Sequence, residues 1–478
     1  MKRGFLQRKN IPEKKKEKQQ PVIRKEVSEK HYVDRISSMP KNIIYHIFSF
    51  IDMKQTVQTC VLSKKWRKFW VSVPTISIND LFWRDDEGEL RENAFRNFVN
   101  RVLLPSDGSD LKKFHLSCPS YDSVTYRVHP WVNSAVRRNV EHLHLEEMFM
   151  PPVSSFSLST NLKTLELKLV RLSEEMEGGS WCGPVLENLI LENCFHVSVN
   201  KILISSPRLK YLMLKCEMCC EHSDIDSCEI KICAPNLKFL GCLGFMYKNY
   251  NLENLSSLET AHIDTDSLCR EELKEVRGTC LKNILRGLIH AKSLTLSVEG
   301  IQGFGGLPNM LKKLPKSFPN LMYLKVREWR TDLYIDGLAK LFQIFSCIET
   351  LVMEKAVVNP DMYSENNTFG FQVQFSLAEA MEETYGPTNK GDWDNLLAPN
   401  SVFQKLRSVE IHYLKCTENE FDFVEYLLKT ASVLENIRIT TIKPRSNSKE
   451  FKYSEFGRKI QSLPRASSSA TLSFVQPK

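Results

Sequence analysis

LKTLELKLV at residues 162–170, LENLILENC at 186–194 and LKYLMLKC at 209–216 each carry an L-x-L core, and the interval between them decides the fold. In an extended strand the two leucines share one face, while the residue between them (Glu166, Ile190 or Met213) points to the other. The same apolar-x-apolar pattern recurs in both directions. It is centred on Phe114 (KKFHLSC), Leu143 (VEHLHLEEM), Leu240 (LKFLGCLG), Ala261 (LETAHID) and Leu294 (AKSLTLSV), then on Leu324 (LMYLKVRE), Leu351 (IETLVMEK), Val409 (LRSVEIHY) and Ile437 (LENIRITT). Most neighbouring copies lie about 22 to 30 residues apart, which marks a repeat array. One unit cannot bury its own leucines, but stacked units form a continuous core, each buried Leu contributing about 1.5 to 3 kcal/mol in transfer terms. The strands are therefore expected to pair in parallel into a curved sheet.

This succession resembles the irregular leucine-rich repeats of plant F-box proteins. Ser206–Leu209 (S-P-x-L) and Ala234–Leu237 (A-P-N-L) read as the turns that introduce two of the repeats. The wide gap between Leu351 and Val409 indicates an inserted loop, and its polar stretch from Ser364 to Lys390 is expected to be mobile. Sheet-face positions between the leucines, including His144, Glu166, Ile190, Met213 and Lys325, are the candidate target-binding residues. From Trp393 to Phe474 the chain resembles the FBD domain: a strand, a polar turn, a helix with Phe423, Leu427, Leu428 and Ala431 on its buried stripe, a second strand with Leu434, Ile437 and Ile439, and a serine-rich end after LPRASSS. An open array needs its apolar end sealed, and this segment is expected to seal it.

Ahead of the repeats, Asp34–Ile76 reads DRISSMPKNIIYHIFSFIDMKQTVQTCVLSKKWRKFWVSVPTI. Ser37 or Ser38 is placed to cap a helix with Pro40 in its first turn, where a missing donor costs nothing. Ile43, Ile44, Ile47, Phe48 and Ile51 recur at spacings of three and four on one broad face. A second short helix is expected over Gln55–Cys60. Ser63 would cap a third that turns Trp66, Phe69 and Trp70 inward. About 40 residues cannot enclose so many large side chains, so part of this apolar surface is expected to dock on another molecule. The order of proline, paired aliphatics, I-x-S-F and V-L-S-K-K-W-R-x-x-W resembles the F-box. That resemblance implies binding to a Skp-type adaptor, and through it to cullin and RING subunits. Carried over position by position, it puts Pro40, Ile43, Ile44, Ile47, Val61, Leu62, Trp66 and Trp70 in or beside the adaptor contact. Met39, Lys41 and Ile51 depart from the usual residues, mildly in volume.

Composition narrows the alternatives. Of the net charge of +8, seven units sit in residues 1–30, where eleven basic residues face four acidic ones. The rest of the chain is almost neutral, which gives no support for a duplex-binding face. That Lys/Glu/Gln-rich tail is expected to be disordered. Lys14, Lys15, Lys16 and Lys18 are diluted as an import signal by Glu13 and Glu17. No uncharged apolar run of about 18 residues appears, so no membrane span is expected. Fourteen cysteines without an apolar leader fit reduced thiols and a cytoplasmic or nuclear protein.

Enzyme readings find little to stand on. Cys216-x-x-Cys219 has zinc-like spacing within a cluster that includes Cys220, His222, Cys228 and Cys233. Cys194 and Cys216, however, occupy the repeat position that bonds the turn, and Cys233 alternates with Ile230 and Ile232 in a strand. Gly300, Gly303, Gly305 and Gly306 lack the lysine-serine pair of a phosphate loop. Neither G-x-S-x-G nor H-E-x-x-H occurs. Cys182 and Cys280 lack an adjacent base, and His142 and His144 read as solvated strand residues. No catalytic residue, metal site or cofactor is expected.

The chain thus reads as mixed α/β: a disordered tail (1–30), a three-helix F-box (31–79), a leucine-rich-repeat solenoid with a curved parallel sheet (80–390) and an FBD-type cap (391–474). The expected role is non-catalytic substrate recognition in a Skp-cullin-F-box ubiquitin ligase, with an unidentified protein target. A repeat scaffold without adaptor binding, and a nucleic-acid-associated regulator acting through the tail, are the alternatives.

Overall fold

The computed structural model describes residues 38–476 apart from 104–108, 119–124, 179–181, 217–227, 266–273, 298–313, 330–334, 356–392, 398–401, 444–446 and a few isolated positions. The basic tail, the glycine-containing stretch around Gly303, Cys219, Cys220, His222 and the polar stretch Ser364–Lys390 all lie outside the described residues.

The apolar-x-apolar units form one parallel sheet of fourteen strands. They run in spatial order through Thr75–Asn79, Lys113–Ser117, His142–Glu146, Thr164–Lys168, Asn188–Glu192, Tyr211–Cys216 and Phe239–Gly244. The order continues with Thr260–Thr265, Ser293–Ser297, Tyr323–Arg327, Thr350–Glu354, Ser408–Leu414, Asn436–Thr441 and Thr471–Val475. All twelve units read from the sequence are strands of this sheet. Two more extend it: TISIN at the end of the F-box segment and TLSFV in the serine-rich terminus.

Strict register produces columns of identical environment. Ile76, Phe114, Leu143, Leu165, Leu189, Leu212 and Leu240 pair in turn, and Ala261, Leu294, Leu324, Leu351, Val409, Ile437 and Leu472 continue the line. All but the last, half-buried Leu472 are sequestered from solvent. A second buried column runs two residues further on, from Ile78 through Leu145 and Leu191 to Ile439. Strand exits share a device: Glu147, Leu169 and Asn193 each take a left-handed φ of 50–58° immediately after their strands. Their amides then donate to the next repeat, Glu147 to the Lys168 carbonyl at 2.9 Å and Asn193 to that of Lys215 at 2.7 Å. The Cys194 thiol closes the turn by donating to the Leu167 carbonyl at 3.3 Å, so this thiol serves the repeat.

The second layer changes character along the array. Helices Glu92–Leu103 and Thr125–Arg137 cover the early strands, and Lys274–Gly287 and Ile335–Ile344 the later ones. Between them a parallel three-stranded sheet of Lys201–Ser205, Glu229–Cys233 and Asn249–Glu253 does the same work with Ile202, Ile204, Ile230 and Ile232 facing inward. Cys233 lies in that sheet, as its alternation with the isoleucines predicts. At the C-terminal end, helix Glu418–Thr430 opens with a capping box between Thr417 and Glu420 and buries Phe423, Val424, Leu427 and Leu428.

Candidate functional site

Among the described residues, two surfaces are candidates for function: the outer side of the N-terminal helices, and the sheet face opposite the core.

Helix α1, Lys41–Phe48, begins at Pro40, which is the N-cap itself and offers no side-chain cap. This corrects the expected serine cap. The expected single apolar face also splits into two stripes. Ile44 and Phe48 turn inward, Phe48 meeting Trp66 edge-to-face with centroids 5.4 Å apart. Ile43 and Ile47, one position earlier on the helical wheel, stay 44% and 39% exposed, and Phe50 is 74% exposed. Helix α2, Met53–Gln58, leads into a short 3-10 turn that presents Val61 at 86% and Leu62 at 52% exposure. The expected third α-helix is instead a 3-10 helix, Trp66–Ser72.

Of the eight residues placed at the adaptor contact, the structure leaves Pro40, Ile43, Ile47, Val61 and Leu62 exposed, with Trp70 half-buried. Ile44 and Trp66, at 0% and 5% exposure, belong to the core and support the surface from beneath. Periodicity places both isoleucines of an i, i+1 pair near the same face, and only tertiary packing decides which turns inward. Phe50 was missed, although it follows Ile47 by three residues on the exposed stripe.

This module is stitched to the sheet. Asp52 caps α2, accepting from the Lys54 amide at 2.7 Å through one oxygen and from the Asn79 amide, at the end of the first strand, at 2.9 Å through the other. Burial raises the pKa of Asp52, and the two backbone donors oppose that shift. The Lys54 ammonium lies 4.4 Å over the Trp83 ring and donates to the Phe82 carbonyl.

On the sheet face, the residues between the leucines form a single column. Ser77, His115, His144, Glu166, Ile190, Met213 and Gly241 are successive register partners, followed by His262, Thr295, Lys325, Val352, Glu410, Arg438 and Ser473. All five candidate target-binding residues stand in it. His144 and Glu166 belong to a polar end, with Glu166 2.9 Å from His144 Nδ1. Ile190 and Met213 begin an apolar middle. There the Tyr211 and Phe239 rings stack 4.6 Å apart, and Met213 lies across Gly241, where a Cβ would come within 2.6 Å of the methionine sulfur. Lys325 belongs to a second polar zone, paired with Glu354 at 2.6 Å beside an Asp264–Arg327 ion pair. His142 stands at the strand start, whereas His144 meets His115 across the strand boundary, ring centroids 4.3 Å apart. That pairing depends on inter-strand register, which the sequence around His144 does not contain.

The buried thiols are poorly suited to nucleophilic work. Burial pushes Cys182 and Cys280 up to about 12, away from the thiolate a nucleophile requires, and the Cys280 thiol donates to the Lys248 carbonyl at 2.9 Å. No helix among the described residues is long and apolar enough to cross a membrane.

Residues 36–77 match the F-box domain family. An F-box/LRR-repeat protein of Arabidopsis thaliana is 31% identical over 263 residues, covering 48% of this chain and 67% of the relative. The chain belongs to the plant F-box/LRR-repeat proteins. Two further F-box/LRR-repeat proteins of Arabidopsis thaliana align at 28% identity over 67% of this chain and 69% of theirs, and at 32% over 56% and 63%. The F-box/LRR-repeat assignment agrees with the geometry: a helical module with an aliphatic outer surface, fastened to the first strand of a long parallel repeat sheet.

Proposed function

We propose that this F-box/LRR-repeat protein is the substrate-recognition subunit of a Skp-cullin-F-box ubiquitin ligase, acting in the cytoplasm, the nucleus or both. One observation carries the reading: Ile43, Ile47, Phe50, Val61 and Leu62 stay exposed on a module whose Ile44, Phe48, Met53 and Trp66 pack into the common core. Such apolar surface is stabilised by a partner that covers it. A Skp-type adaptor would cover it, joining the chain to cullin and RING subunits, while the sheet-face column around Ile190 and Met213 holds a protein target. Ubiquitin transfer then gains from proximity, since a held target lysine reacts in an effectively intramolecular step. The chemistry belongs to partner subunits, and no residue of this chain need take part in it.

The test is affinity purification from plant cells of the intact chain beside an Ile43→Asp, Ile47→Asp double variant. Both positions are exposed, so the fold tolerates the charges. The intact chain should recover the adaptor, and the variant should lose it while retaining other partners. Recovery of no adaptor by the intact chain would sink the ligase reading.

A further inference from the structure

His115 and His144 sit side by side on adjacent strands, and Glu146 reaches over from the outer column of the same face. One donor atom from each of the three lies within 4.8 Å of the other two, and His115 Nε2 is already 3.5 Å from a Glu146 oxygen. Both rings are held through their other nitrogen. Ser77 Oγ is 3.1 Å from His115 Nδ1, and a Glu166 oxygen is 2.9 Å from His144 Nδ1. In the tautomer in which Nδ1 donates to these oxygens, Nε2 of each ring carries its lone pair. Both Nε2 atoms are shielded from solvent; that of His144 has no hydrogen-bond partner among the described residues, and that of His115 has only the long 3.5 Å approach of Glu146.

Shielded nitrogens without partners are costly unless something binds them. An imidazole oriented by an outer hydroxyl or carboxylate, with its free nitrogen turned toward a carboxylate, is the arrangement of a metal ligand with its supporting shell. The local charge also favours a cation. Glu146 and Glu166 are two carboxylates; Lys168 pairs with Glu146 alone, 2.6 Å from its other oxygen, and Glu166 pairs with His144.

We propose that His115, His144 and Glu146 bind a divalent transition-metal ion, Zn²⁺ first, through the two Nε2 atoms and one carboxylate oxygen. A set of two histidines and one carboxylate suits zinc and leaves the fourth tetrahedral position open, here toward the sheet face. Zn–N bonds of about 2.0 to 2.1 Å put tetrahedral donors about 3.3 Å apart, so closure asks only for side-chain shifts of roughly 1 Å. The site does not depend on whether the F-box docks an adaptor.

The test uses the full chain dialysed against Zn²⁺, and separately loaded with Co²⁺ as a spectroscopic stand-in. The expected result is one tightly held Zn²⁺ per chain, with Co²⁺ giving visible d–d bands and no thiolate charge-transfer band. Affinity should fall at least tenfold in His115→Ala and in His144→Ala, and about ten- to hundredfold in Glu166→Leu, which removes only the outer partner. His142→Ala, outside the triangle, should bind as the parent does. The Co²⁺ spectrum of the unaltered chain keeps the test decisive if a histidine variant fails to fold. No retained metal, a thiolate band in place of d–d bands alone, or unchanged affinity in folded histidine variants would each overturn the proposal.

Discussion

Lys355 reaches from the end of the strand Thr350–Glu354 to the carboxylate of Glu420 in the first turn of the helix Glu418–Thr430, and both side chains are almost wholly withdrawn from water. The ammonium also lies 5.4 Å over the Trp329 ring, and Glu420 accepts the Thr417 amide at 2.9 Å to complete the capping box. This pair fastens the C-terminal cap to the repeat that precedes the long insertion. Removing one partner of a buried ion pair leaves the other uncompensated, at about 3 to 5 kcal/mol. Lys355→Met should therefore lower the unfolding free energy by that margin, read from the denaturant midpoint and slope, whereas replacing both residues with apolar ones of similar volume should restore most of the loss.

The two stripes of helix α1 make opposite predictions for neighbouring residues. Ile44→Asp places a charge in a closed core and should unfold the N-terminal module. Ile43→Asp should leave the circular dichroism spectrum and melting temperature nearly unchanged while abolishing adaptor capture. Equal effects at both positions would mean that the inward and outward assignment is wrong.

Asp52 gives a pH signature. Its folded-state pKa is raised above 3.8, so the native state binds the proton more tightly than the unfolded chain does. This contribution to stability is present below the unfolded value and is lost as pH rises through the raised one. Asp52→Asn does not titrate. The stability of the variant relative to wild type should thus shift in its favour as pH rises above the ordinary aspartate range, read by denaturant titration at each pH. Asp52→Ala should in addition cost about 1 kcal/mol through the lost cap.

Thiol accessibility offers a check on the whole array. Burial pushes Cys118, Cys182, Cys194, Cys228, Cys242 and Cys280 up to about 12, while Cys60, Cys233 and Cys347 are half-exposed. Brief treatment of native protein with iodoacetamide near neutral pH should label peptides carrying the second group and spare those carrying the first. Labelling of Cys194 or Cys242 before unfolding would contradict the packed repeat core.

Gly241 is the place to perturb the sheet face without harming the core. A Cβ there meets the flexible end of Met213, which can move aside, and comes within 3.2 Å of the Phe239 ring edge, which must give by a few tenths of an ångström. Gly241→Ala should cost no more than about 1 kcal/mol, yet it reshapes the apolar patch beside Ile190. If that patch holds the target, target capture should weaken while adaptor capture stays intact.

The repeat sheet was legible because L-x-L states its own geometry: two inward residues and one outward one, renewed every turn of the array. Ile76 and Leu472 escaped detection because their strands lie inside segments whose helices and serines carry the louder local signal. The inward turn of Ile44 and the meeting of His115 with His144 were illegible for a different reason. Each is fixed by which neighbour packs across the gap, and residues far apart along the chain decide that. The aromatic run from Trp66 to Trp70 has helical spacing, but its short segment was resolved as 3-10 by packing against Phe48 and the core.

Because Asp52 grips the opening strand and its own helix with one carboxylate, adaptor and cargo would hang from a single bracket at that joint. Which lysines of a captured protein receive ubiquitin would then be a matter of reach and angle, set by where along the array the cargo sits.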